Sequence, residues 1–197
     1  EEDPRTQARW EAWSEHWSQA GPAALAETDR RVPACDAKRT TTRQAGYGED
    51  ERYCPPVNEL WAQAWALTEA IVTTLDRDVR ATGGRLLVVT LTDGTAASPA
   101  DWRRKSLARR LGIPHLGYPE ARLRALGSQA GVPVLTLAEP FSDYADRYNA
   151  HLHGFPNGVV GAGHWNREGH WLAGRLLASW LTESLTGAGV RPDDGAP

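Results

Sequence analysis

Arg85-Leu-Leu-Val-Val-Thr-Leu-Thr-Asp-Gly94 is the stretch on which the fold turns. Its apolar run, Leu86 to Leu91, is uninterrupted by charge and ends in Asp-Gly, as a strand buried on both faces does. A second short run, Val132-Pro-Val-Leu-Thr-Leu137, has the same character. Between and around them the pattern is helical. From Val57 to Ala81, residues Leu60, Trp61, Trp65, Ile71, Val72 and Leu75 recur at helical spacing, and Gly83-Gly84 closes the run. Further helices are expected from about Pro99 to Leu111, Pro119 to Ala130, Pro140 to Asn149 and Arg167 to Leu185. Alternating helix and strand implies a mostly parallel sheet with helices on its faces. The expected class is therefore α/β, a three-layer, flavodoxin-like arrangement.

The N-terminal 52 residues differ. Trp10, Trp13 and Trp17 fall on one helical face after a start near Asp3-Pro4, which reads as a packing helix or as an aromatic platform. From Gly21 to Pro56, Gly, Pro and Thr-Thr-Thr point to loop. The expected organisation is a helical and irregular segment over 1–52, the α/β domain over 53–186, and a Gly/Pro/Asp-rich disordered tail over 187–197.

Composition limits the function. With 197 residues, 41% apolar, one domain can bury a sizeable core. A formal charge of -3, from 22 basic and 25 acidic residues in mixed patches, offers no footprint for nucleic acid. No run approaches the roughly 20 apolar residues of a membrane span. Cys35 and Cys54 read either as one disulfide of an exported protein or as two thiols. The chain has no Met, so a targeting segment or a piece of the domain is expected to precede Glu1.

The chemistry-bearing segment is Gly161-Ala-Gly-His-Trp-Asn-Arg-Glu-Gly-His170. A glycine-rich loop delivers His164 to the mouth of the last helix, with Asn166 as a natural N-cap. An imidazole there can take a proton from a hydroxyl and return it to a leaving group. The competing reading is that it caps the helix or bonds a loop carbonyl. Trp165 beside it either walls a pocket or packs. His151 and His153, two apart, read as a metal pair or as solvated loop histidines, and neither they nor the cysteines complete a metal site. The glycines of Gly158-Val-Val-Gly-Ala-Gly163 follow no strand, so no nucleotide cofactor is implied.

His164-Trp-Asn-Arg-Glu-Gly-His170 and the helix after it resemble the last block of the SGNH (GDSL-type) hydrolases, in which the general-base histidine precedes an Asn, then Gly-His, then an amphipathic helix. Tyr53-Cys-Pro-Pro-Val-Asn-Glu-Leu-Trp-Ala-Gln-Ala-Trp65, Val89-Thr-Leu-Thr-Asp-Gly94 and His153-Gly-Phe-Pro156 are similar to one bacterial subgroup of that superfamily. The resemblance runs from about 52 to 186. It implies an ester hydrolase or O-acyl transfer domain with His164 catalytic, Trp165 and Asn166 at the substrate, no metal or cofactor, and a small-molecule or carbohydrate ester as substrate. Two departures follow. Gly161 stands where the family's orienting Asp belongs, leaving Asp93 or Asp143 as substitutes. The Gly-Asp-Ser nucleophile block is absent, and none of Ser14, Ser18, Ser98, Ser106, Ser128, Ser142, Ser179 or Ser184 has a strand-Gly-x-Ser-helix context. The sheet is thus expected to be incomplete on its N-terminal side and the fragment marginal or sticky. A non-catalytic binding or scaffold module is the alternative, and a flavodoxin-like domain of unrelated function a third.

Overall fold

The computed structural model describes residues 3–30, 49–56, 58–99 and 102–186. Helix α1 spans Pro4–Arg30, a short 3-10 helix Glu49–Tyr53, and α2 Glu59–Ala81. Strand β1 is Val88–Val89, followed by α3 at Trp102–Leu111 and α4 at Tyr118–Ala130. Strand β2 is Val134–Leu135, α5 Ala138–Tyr148, and α6 Arg167–Thr186.

The expected three-layer, flavodoxin-like α/β sheet is overturned. Helix accounts for 66% and strand for 4% of the structure, and the sheet among the described residues is two parallel strands, Val88 opposite Val134 and Val89 opposite Leu135. Both apolar runs are in place and adjacent, but the ladder is cut at each end. In this register the rung before Val88 needs an amide hydrogen at position 133, and Pro133 has none. At the other end Thr90 N–H donates to the Leu135 carbonyl (3.0 Å). The next donor, Leu137 N–H, is captured by side chains, Thr90 Oγ1 and Glu120 Oε1, both at 3.1 Å. Nor is the first run buried on two faces: residues 86–90 are half-buried and Leu91 is 79% exposed.

Helix α1 runs through Gly21-Pro22, where loop is expected from the sequence. Proline costs one i to i−4 hydrogen bond and its fixed φ is helical. Ala23, Ala24, Leu25 and Ala26 then favour continuation, and Asp29 holds the end of α1 to Arg124 of α4 by paired bonds of 2.6 and 3.1 Å. This helix packs across α4 and α5. Trp13 is fully buried among Phe141, Tyr144, Leu152 and Leu172, and its indole N–H donates to Asp143 (2.7 Å). Trp17 stacks on Trp13 and Trp10 meets Trp171 edge-on, so the indoles pack. A second apolar cluster, with Tyr53, Cys54, Leu107, Leu111, Ile113 and Leu116, lies beneath α3.

Cys54 is disulfide-bonded. Cys35 and the 187–197 tail lie outside the described residues. No described helix is long and apolar enough to cross a membrane.

Candidate active site

The chain leaves β1 through Thr92 and Asp93, and these two residues organise everything that follows. The Thr92 hydroxyl accepts the Trp165 indole N–H (2.9 Å), and its carbonyl lies 3.1 Å from His153 Nε2. A carbonyl only accepts, so Nε2 carries the imidazole proton and Nδ1 is a bare acceptor, buried and without a partner. Burial pushes the His153 pKa down, against smaller opposing effects of the Thr92 carbonyl and Asp93. His153 is therefore a neutral structural pin and not one of a pair of solvated histidines. Among the described residues no group of three His, Cys, Asp or Glu could hold a metal ion.

Burial works to raise the Asp93 pKa, but hydrogen bonds from Tyr53 and the main chain, with the Arg52 charge, outweigh it and hold the carboxyl below its ordinary value. Asp93 accepts the Tyr53 hydroxyl, Arg52 Nη2 (3.0 Å) and the backbone N–H groups of Thr95 (2.7 Å) and Ala96 (3.1 Å). Desolvation and this carboxylate push the Tyr53 phenol up, out of reach as a nucleophile. The substitutes for the missing orienting acid are thus both occupied elsewhere. Asp93 serves Tyr53 and Arg52, Asp143 serves Trp13, and neither bonds to His164.

A short antiparallel pairing fixes the histidine loop. His153 bridges Trp165, Gly154 N–H donates to the His164 carbonyl (2.9 Å), and Asn166 N–H to the Leu152 carbonyl (3.0 Å). Trp165 and His153 both point at Thr92, with Phe141 against the Trp165 ring (5.3 Å between centroids). His164, one position along, is exposed. Neither of its ring nitrogens has a hydrogen-bond partner among the described residues. Gly161 (φ +79°) and Gly163 (φ +77°) supply the left-handed turns that bring it there.

Asn166 caps α6 by accepting Gly169 N–H (2.9 Å), and its amide donates to the His151 carbonyl (2.5 Å). Its polar atoms are spent on structure, as is the Trp165 indole. Of the serines, Ser14, Ser18, Ser98 and Ser142 each donate to a main-chain carbonyl of their own turn, and no hydrogen bond joins any of these four hydroxyls to His164. The residues sequence reasoning passed over are Thr92, Tyr53, Arg52 and the pinning role of His153. Their only signal is position, Thr92 at the end of the first apolar run and Arg52 and Tyr53 just before Cys54-Pro-Pro56.

Compared with family models, curated proteins and solved structures, the chain matches none, so the SGNH resemblance rests on the residue pattern of 52–186 alone.

Proposed function

We propose that this chain is an ester hydrolase or O-acyl transfer domain in which His164 is the general base, acting on a serine that none of these 197 residues supplies, in a further segment of the protein or a partner chain. The observation that carries the reading is the state of His164. Its main chain is locked by the Gly154 bond, while its ring is exposed and unbonded. A histidine used as a cap or loop brace spends its nitrogens; this one keeps both available for a reactant.

In that role Nε2 or Nδ1 takes the serine proton as the oxygen attacks the ester carbonyl. Collapse of the tetrahedral intermediate breaks the acyl–alkoxy bond, and the imidazolium protonates the departing alcohol. Water or a second alcohol then attacks the acyl-serine by the same exchange. A neutral small-molecule or carbohydrate ester fits this chemistry.

A second reading, a non-catalytic binding module, is favoured by one feature: Gly161 leaves no orienting carboxylate three positions before His164, and Asp93 and Asp143 are committed elsewhere. Hydrolysis of p-nitrophenyl acetate by the native protein and by its His164→Ala variant separates the two. A fall of about 10²- to 10⁴-fold, with the melting temperature kept, is expected for a lost general base. Equal turnover removes His164 from the mechanism. No turnover by the unaltered protein favours the binding module.

A further inference from the structure

Loop 154–160 is built to hold apolar side chains away from the core. Gly154 (φ +80°) and Gly161 (φ +79°) lie at its two ends. Gly161 N–H donates to the His153 carbonyl and Gly158 N–H to the Phe155 carbonyl, both at 2.9 Å. An added Cβ at Gly154 would sit 2.2 Å from the Val159 carbonyl oxygen, so the loop closes on itself through main chain alone. Its side chains contribute nothing to that closure. Phe155, Val159 and Val160 are 48%, 66% and 50% exposed, and hydrating three such groups is unfavourable.

Beside this loop is a cleft of about 580 Å³, bounded by the start of α1 and the first turn of α6. Phe155, Pro156, Val160 and Trp171 give it an apolar wall, and His151 and Asn166 stand at a polar side. The volume falls in the range of about 300–1,000 Å³ in which small-molecule sites lie, and an apolar wall with a few polar groups is their usual lining. Of the rim charges, Glu168 is already engaged by Arg9 and by the Tyr144 hydroxyl, each at 2.9 Å. Trp171 meets Trp10 at right angles and has the Arg175 guanidinium over its ring. An indole already engaged in this way, in a wall with Phe155, Pro156 and Val160, is a poor sugar platform and a good wall for hydrocarbon.

We propose that this cleft binds the acyl chain of an ester, with the hydrocarbon along Phe155, Val160 and Trp171 and the ester group toward His151. The inference rests on the proposed ester chemistry for the identity of its ligand; Gly154 of the cleft donates to the His164 main-chain carbonyl, so the histidine loop adjoins the cleft. Affinity for the chain does not depend on that chemistry.

The test is calorimetric titration of the intact protein, and of its His164→Ala variant, with ethyl octanoate and with ethyl acetate. Six added methylenes meeting the apolar wall are expected to make the octanoate bind at least about tenfold tighter in both proteins. Val160→Asp and Phe155→Ser change exposed side chains, so both are expected to fold unchanged by circular dichroism and to lose that preference. Equal binding of the two esters, or a preference untouched by Val160→Asp, overturns the acyl site. The two proposals fail separately. Octanoate binding without ester turnover defeats the catalytic role and leaves the cleft; His164-dependent turnover blind to chain length does the reverse.

Discussion

Glu120 is 6% exposed, yet it organises the end of the sheet. It accepts the Thr90 hydroxyl and the N–H groups of Leu137 (3.1 Å) and Ala138 (3.0 Å). Burial, and then the hydrogen-bonding and charge of Glu139 beside it, push its pKa well above the ordinary glutamate value. The folded state therefore holds a proton that the unfolded state releases above about pH 4.3. Stability from this group is full below that pH and declines as pH rises through the folded pKa. Glu120→Gln mimics the protonated carboxyl, so the fall in urea midpoint across that window should be smaller in the variant than in the unaltered protein. A parallel fall in both would show that Glu120 ionises normally. Glu120→Ala leaves the Ala138 N–H unmet and the Leu137 N–H with Thr90 alone, and should cost about 1–3 kcal/mol. His153 has the opposite sign. Its pKa is depressed by burial, so its contribution is present above about pH 6.5 and is lost as pH falls through the folded pKa. Histidine Cε1 proton shifts followed by NMR should show His153 remaining neutral at a pH where exposed imidazoles have begun to charge; titration in step with them would contradict its burial.

Helix α6 holds the histidine loop through two residues. Asn166 caps it, and Asn166→Ala should cost about 1 kcal/mol, with Asn166→Asp retaining most of the cap. Gly169 lies so close to the Leu152 carbonyl oxygen that an added Cβ would sit 2.3 Å away. Gly169→Ala must therefore displace α6 or the 152–154 segment. It should lower stability by more than the cap variant and broaden the His164 resonance; thermal melts showing it harmless would refute that contact. The cap was legible in the sequence because Asn-x-x-Gly before an amphipathic run is a local signal. Helices α2, α4 and α6 were legible for the same reason, within two residues at each start. The sheet was not. Pro133 and the diversion of Leu137 N–H to Glu120 decide its extent, and Glu120 is 17 residues away from Leu137 in the chain. The course of α1 past Pro22 depends likewise on Arg124, 95 residues beyond Asp29. At the site, the loop-to-helix placement of His164 follows from its glycines, whereas the commitment of Asp93 to Tyr53 and of His153 to Thr92 needed the chain folded.

At the scale of the whole molecule, the described residues carry more apolar surface than their packing uses. Helix α2 buries Trp65 against Tyr118 edge-on, with the Arg122 guanidinium over the indole and Arg122 also paired to Glu69 (2.6 Å). Its opposite side is apolar too. Leu60, Leu67, Ile71 and Leu75 are 40%, 62%, 57% and 49% exposed, and the last three recur every four residues, one above another. A helix apolar on both faces belongs in an interior, not at a solvent boundary. Strand β1 adds to this surface. Val88 and Thr90 turn their N–H groups to the 133–135 segment, so by the alternation of a strand Val89 presents its own to the other edge, where no described strand pairs. Among the described residues, Leu91 is the most exposed of the large apolar side chains. An open strand edge beside an apolar helix stripe is a recognised route to association. The 197-residue chain should accordingly bind 8-anilinonaphthalene sulfonate in its native state and sediment with a concentration-dependent mass. Leu67→Lys combined with Ile71→Lys keeps helix propensity and removes the middle of the stripe, so dye binding and self-association should both fall while far-UV circular dichroism is retained. A chain that sediments as a monomer at every concentration and leaves the dye dark would mean that the α2 stripe is covered from within.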